Sequence, residues 1–227
     1  MFSLQGHKAL VVGIANENSI AYGCAKALRS QGADLAVTWL SSKAEPYVRP
    51  LAEELGRLDT LVHSIAFAPR EELHGQVIDC PSGGFPPAMD VSVHSFLRMI
   101  RLAEPLMPEG GCCLSVSFFG SSRVVRHYNM MGPVKAALES AVRYAAAEIG
   151  PQGIRVHALS PGPLKTRAAS GIGHFDELLS LASERASTHQ LATIEDVGAM
   201  ATFLASPAAR NLTGGVHDID GGFSITA

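Results

Sequence analysis

"KALVVGIANENSIAYGCAKAL", Lys8 to Leu28, is an apolar run, a glycine, a polar loop and then an alanine-rich stretch of helical character. Lys8 to Gly13 reads as a strand, since four consecutive apolar residues held between a lysine and a glycine suit a strand covered on both faces. Asn18 or Ser19 can cap a helix over Ile20 to Ser30, and Gly32 follows its end. A strand that turns through glycine directly into a helix aims backbone N–H groups and the positive end of the helix dipole at the turn. In a doubly wound sheet that is where a pyrophosphate binds. Gly13 permits the tight turn, Ser19 and Ile20 offer helix N-terminal N–H groups, and Gly23 permits close packing of helix on strand. The stretch is not the G-x-G-x-x-G fingerprint. On these residues alone, a structural turn and a nucleotide site both stay open.

Outward from this unit the alternation repeats. Further strands are expected at Asp34 to Leu40, Thr60 to Ala66, Cys112 to Phe119, Ile154 to Gly162 and Val216 to Gly222. Helices are expected at Ala44 to Leu55, Val91 to Leu106, Met131 to Ile149 and Ile194 to Ala205, the last capped by Thr193 with Glu195 and Asp196 in its first turn. Strands alternating with helices imply an α/β fold, a Rossmann-like doubly wound parallel sheet with helices on both faces.

Composition narrows the function. With 227 residues, 47% hydrophobic and 17% charged, the chain has material for one well-buried core, and a single domain over 1–227 is expected. A net charge of −3 without a Lys/Arg cluster argues against a nucleic-acid partner. No apolar run approaches the roughly 18 residues of a membrane span, and the N-terminal residues run directly into a strand, so a cytoplasmic protein with no membrane partner is expected. Cys24, Cys80, Cys112 and Cys113 have neither metal-ligand spacing nor disulfide density, which makes buried free thiols the better reading. The nine histidines include no pair at zinc-helix spacing, and no metal is assigned.

Two further stretches concern chemistry. In "RHYNMMGPVK" (Arg126 to Lys135), Tyr128 precedes Lys135 by seven residues, a spacing that puts two side chains on one helical face two turns apart and lets both point into one cleft. An arbitrary pair at this spacing is more often a surface phenol and a solvated amine. After the second strand, where an NAD-type site often has an acid for the ribose hydroxyls, the chain has Leu40-Ser41-Ser42-Lys43. Leu40 neither rejects nor grips a 2′-phosphate, and Lys43 is either a phosphate contact or a solvated helix-start residue, so these residues leave NADH and NADPH both open.

Taken together, "GIANENSIAYGCAKAL", "HSIAFAPREELHG", "RHYNMMGPVKAALE", "SPGPLKTRAASGI" and "HDIDGGFSI" resemble the divergent enoyl-acyl-carrier-protein reductases of the short-chain dehydrogenase/reductase superfamily, from one end of the chain to the other. Tyr-x6-Lys is the most specific element. The Tyr-x3-Lys of ordinary short-chain ketoreductases is absent, because Gly132 stands where its lysine would be. The resemblance implies reduction of a trans-2-enoyl thioester, carried by acyl-carrier protein or coenzyme A, with NADH (NADPH possible) as cofactor in fatty-acid synthesis. Tyr128 would stabilise or protonate the enolate oxygen, and Lys135 would hold the nicotinamide ribose and keep the local potential positive. Gly13, Ala15, Ser19, Ile20, Leu40, Ser64, Ile65, Ala66, Leu164 and Thr166 would join Lys135 around the cofactor. Phe67, Phe118, Met131, Ala168 and Ile172 would meet the acyl chain, with Ala168 to Leu179 as a lid. A homotetramer is also implied, and the alanine-rich stretch "AALESAVRYAAAEIG" suits helix packing between subunits or within the core equally.

Two departures stand out. The common bacterial form has a second tyrosine where this chain has Phe118, which makes the site wall more apolar. In the family, "RPLAEELG" is also followed by a further strand, a loop against adenine and a helix, whereas here Gly56 meets Arg57 directly. The chain is short there by roughly 25 to 30 residues, about one strand–helix unit. Right-handed crossovers to the two sides of the first strand need helices on opposite faces, and the single helix Ala44 to Leu55 cannot occupy both. The expectation is an internal stretch missing at this junction; if the junction is genuine, the adenine pocket is open. Two other functions are carried alongside: a ketoreductase using Ser115 or Ser117 with Tyr128, and a cofactor-binding protein without turnover.

Overall fold

A computed structural model describes residues 3–38, 57–69, 73, 75–166 and 175–226. Their strands are β1 (Lys8–Val12), β2 (Asp34–Thr38), β3 (Thr60–His63), β4 (Gly111–Val116), β5 (Ile154–Pro161) and β6 (Val216–Ile219), all parallel in the order β2-β1-β3-β4-β5-β6. The helices are α1 (Ile20–Ser30), α2 (Phe85–Met89), α3 (Ser95–Ala103), α4 (Met131–Ile149), α5 (Phe175–Arg185), α6 (Ile194–Ala205) and α7 (Phe223–Thr226).

Side-chain alternation along the strands builds a core on each face. Ala9, Val11, Val62, Leu114 and Leu159 pack with α1 and α6, while Leu61, Cys113, Val156 and Ala158 pack with α3 and α4. Leu28, Leu138, Val142 and Leu204 are fully buried at these seams, each stabilising the fold by roughly 1.5–3 kcal/mol. Helices cover both faces, as the strand–helix alternation requires. β1 leads to β2 on one side and β3 lies on its other side, so the chain reverses direction beside β1. That reversal is the topological switch point, where α/β sheets hold ligands beyond the carboxyl ends of their strands.

Several expected boundaries move. The strands end one to three residues early wherever the chain leaves the ladder to line the site, as after His63 and Val116. Leu40 and the expected helix Ala44 to Leu55 lie outside the described residues. The helix expected from Val91 starts earlier: α2 leads through a π-helical turn (Asp90–His94) into α3, which closes in a 3₁₀ turn at Glu104–Leu106. Pro86 and Pro87 sit in the first turn, where the missing N–H groups have no intrahelical partner to lose. α5 was not expected.

Gly23 serves helix–helix rather than helix–strand packing. A β-carbon there would run into the Ile194 carbonyl of α6, and one at Gly198 would lie 2.6 Å from the Gly23 carbonyl oxygen. α6 itself begins with a reciprocal cap: Thr193 Oγ1 accepts from the Asp196 N–H at 3.2 Å, and the Thr193 N–H donates to the Asp196 carboxylate at 2.8 Å.

Candidate active site

Beyond the carboxyl ends of β3, β4 and β5 lies a cavity of about 340 Å³. It gathers most of the residues singled out from sequence: Ile20, Ser64, Ile65, Ala66, Phe67, Phe118, Tyr128, Met131, Lys135, Leu164 and Thr166 all line it. Gly13, Ala15 and Ser19 do not. Gly13 has φ +107°, and a β-carbon on it would run into the Ser64 carbonyl, so the β1–α1 turn and the end of β3 touch through bare backbone. Ser19 spends its hydroxyl on the helix, accepting from the Tyr22 N–H at 3.3 Å and donating to the Asn16 carbonyl at 2.7 Å. Ala15 is exposed. Leu40, Ala168 and Ile172 lie outside the described residues.

Tyr128 reaches the cavity by a route that helical periodicity does not describe. α4 starts at Met131, so the tyrosine sits in the preceding turn and no i, i+7 helical face joins it to Lys135. His127 and Asn129 on either side hold left-handed φ values of 64° and 46°, costing on the order of 1 kcal/mol each. Asn129 Nδ2 anchors the turn by donating to the Leu73 carbonyl at 2.6 Å. The phenol ring is buried against Phe118, centroids 4.8 Å apart and tilted by 58°. Gly120 makes room for it, since a β-carbon there would lie 2.6 Å from the ring.

Lys135, only 4% exposed, donates from Nζ to the Val116 carbonyl at 2.7 Å. An ammonium has three protons to donate, so this bond leaves two for the cavity. Burial pushes its pKa down to about 8, partly opposed by the nearby Glu139 carboxylate. Burial, reinforced by Glu139, raises the Tyr128 phenol far above its ordinary value and keeps it protonated.

Of the residues behind these two, the sequence singles out Ser115 and Ser117, for a different role, and not Glu139, His63, Ser92 or Ser95. Ser117 Oγ donates to Glu139 Oε1 at 2.5 Å, and Glu139 stands one helical turn after Lys135, a spacing that could have drawn attention to it. Buried His63 bridges Ser115 Oγ (3.2 Å from Nδ1) and Ser95 Oγ (2.8 Å from Nε2). Because Ser95 gives its proton to the Val91 carbonyl at 2.6 Å, it accepts from Nε2–H, and Nδ1 accepts from Ser115. Burial, then the Lys135 charge, lowers the His63 pKa to about 4, so the ring is neutral. Ser92, in the π-helical turn, holds the Phe67 backbone at both N–H (2.9 Å) and C=O (3.0 Å). These contacts are long-range in sequence and follow no local pattern. They also engage Ser115 and Ser117, the hydroxyls that a ketoreductase would need beside Tyr128.

A nucleotide-type turn after the first strand, with a phenol and an ammonium facing one space at the switch point of a Rossmann-like sheet, fits the class that the resemblance implies, nicotinamide-dependent reductases. The comparisons narrow it. The family model described as enoyl-(acyl carrier protein) reductase matches residues 13–57 and 44–224. The chain is 42% identical to the NADH enoyl-acyl-carrier-protein reductase of Aquifex aeolicus, covering 98% of this chain and 93% of that one, and 38% identical to enoyl-acyl-carrier-protein reductase 1 of Rhizobium meliloti, covering 97% and 91%. The solved Bacillus cereus enoyl-acyl carrier protein reductase, a complex with NADP+ and indole naphthyridinone, superposes with a TM-score of 0.92 at 37% identity over the full length of both chains. The chain belongs to the enoyl-acyl-carrier-protein reductase family of the short-chain dehydrogenase/reductase superfamily.

Proposed function

We propose that the protein reduces the trans-2 double bond of an enoyl thioester with NADH as cofactor, in fatty-acid synthesis. The observation that carries this reading is the convergence of buried Tyr128 and buried Lys135 on one cavity at the switch point of the sheet. The site suits a dinucleotide. The first turn of α1 reaches the cavity rim at Ile20, the turn at Gly13 leaves no side chain in the way, and Lys135 has ammonium protons left for ribose hydroxyls.

In this reading Ile20, Ser64, Ile65, Ala66, Lys135, Leu164 and Thr166 hold the cofactor, which supplies the hydride for the β-carbon. Tyr128, protonated at neutral pH, offers its O–H to the thioester carbonyl oxygen as negative charge develops there. Lys135 keeps the potential at that oxygen positive. Phe67, Phe118 and Met131 form the apolar wall for the acyl chain and help keep water from the enolate. The test is nicotinamide oxidation with crotonyl-coenzyme A and with an enoyl-acyl-carrier protein, and absence of turnover of both with either NADH or NADPH would refute the reading.

The same proposal extends to organisation. Residues 1–227 form one reductase domain, lacking a strand–helix unit between Gly56 and Arg57. Alignment to the Rhizobium meliloti relative supports this, running over 247 positions although the chain has 227 residues. A mass of 23.9 kDa for the intact natural protein would refute a stretch missing from the sequence, and would leave the adenine side of the cofactor site open. A homotetramer, implied by the family resemblance, belongs to the same proposal, and light scattering tests it. No described helix is long and apolar enough to cross a membrane.

A further inference from the structure

Helix α4 is bonded to the end of β4 twice, by polar side chains one helical turn apart. Lys135 Nζ donates to the Val116 carbonyl at 2.7 Å, and the next residue of the chain, Ser117, donates its hydroxyl to Glu139 at 2.5 Å. Lys135 and Glu139 are 4% and 9% exposed. A carboxylate so deeply placed requires compensation, and a neutral serine supplies a hydrogen bond without a charge. The Lys135 ammonium stands one helical turn away on the same face, not bonded to Glu139 but near enough for the two to attract through space. The titratable groups facing Lys135 among the described residues are Glu139 on its own helix, Tyr128 from the turn before it and His63 from β3. The phenol and the imidazole are both neutral at pH 7, so Glu139 is the anion of this group.

We propose that Glu139 is a positioning residue for the reduction: Ser117 fixes its carboxylate, and its charge holds Lys135 in the ammonium form with protons turned to the cavity. The inference takes its catalytic meaning from the enoyl-reductase reading, but the electrostatic claim concerns this chain's own residues. A glutamate that only fastened helix to strand would be replaceable by glutamine, which has the same shape and can accept the same serine proton. A glutamate needed for its charge would not.

The deciding experiment is a titration of the Lys135 side chain by carbon NMR in lysine-labelled protein, its signal assigned by its loss in Lys135→Met. The wild-type midpoint is expected at about 8. In Glu139→Gln it is expected to fall by about one unit or more, at least a tenfold rise in the acid dissociation constant, and Glu139→Asp should restore most of the difference. In parallel, kcat/KM for crotonyl-coenzyme A in Glu139→Gln should be near wild type at acidic pH and roughly tenfold down above neutrality. An unchanged midpoint, or a loss of kcat/KM equal at every pH, overturns the inference. If Glu139→Gln does not fold, Ser117→Ala carries the same test. Its midpoint should fall as the unfastened carboxylate turns away, and an unchanged midpoint is again fatal. Wild-type protein without turnover would refute the enoyl-reductase reading alone, while the titration still decides the role of Glu139.

Discussion

Removing the Tyr128 hydroxyl separates chemistry from packing, because in this site the two fall on different atoms. The ring makes the contacts, lying 4.8 Å from Phe118 and over the bare backbone of Gly120. Tyr128→Phe keeps that ring and should leave the fold intact, with a melting temperature within about 3 °C of wild type, which corresponds to roughly 1 kcal/mol for a chain of this size. In the proposed mechanism, what disappears is one donor to the oxygen on which charge develops. A donor of that kind contributes about 3 kcal/mol to the transition state and little to the ground state, so kcat should drop by about a hundredfold or more. NADH affinity should stay within about twofold, since the loss concerns only the transition state. The assay is nicotinamide oxidation with crotonyl-coenzyme A at saturating NADH, alongside thermal melting and cofactor titration. A folded variant with kcat within threefold of wild type would refute the assignment of Tyr128. So would a large loss of NADH affinity, which would make the residue part of the cofactor pocket instead.

Other predictions follow from single features. Gly13→Ala places a β-carbon against the Ser64 carbonyl in a backbone with φ +107°; the left-handed strain alone costs about 1–2 kcal/mol. Thermal melting should show a loss of at least several degrees and cofactor titration a weaker NADH site, and wild-type values for both would show that the turn has room. In the proposed mechanism Lys135 acts as a cation, and burial pushes its pKa down to about 8, so kcat/KM should decline as pH rises through about 8 in the free enzyme; a flat profile to pH 10 would contradict this. His63 and His157 are held neutral by burial, each lowered from 6.5 to about 4. The unfolded chain takes up protons below 6.5 that the folded one refuses, so stability is full above that pH and lost as pH falls toward 4. In denaturant titrations across this window, His157→Asn should flatten the loss, and an equal slope in the variant would exclude His157 as a source.

Much of the architecture was legible because local pattern and tertiary role agree. Four apolar residues before Gly13, a capped helix from Ile20 and five more strand candidates reflect burial on both faces of a parallel sheet, a requirement each strand meets through its own residues. Tyr128 and Lys135 were legible through the Tyr-x6-Lys resemblance, although the helical-face argument for their meeting does not apply.

By itself, the sequence determined the alternation of strands and helices, the placement of the nucleotide-type turn and the residue types available for reduction. Only the tertiary structure decided how those residues meet. The left-handed residues at 127 and 129 bring the Tyr128 ring back over Gly120, and Gly13 presses on the backbone of Ser64, 51 residues away in the chain. The Ser117–Glu139 bond joins a strand end to a helix, Ser95 on α3 holds His63 at the end of β3, and Ser92 in the π-helical turn reaches Phe67 in the segment after it. Each of these is a contact between segments whose separation is set by sheet order and helix packing. Hydrogen-bond geometry and burial are properties of the assembled neighbourhood, and no window of sequence contains both partners.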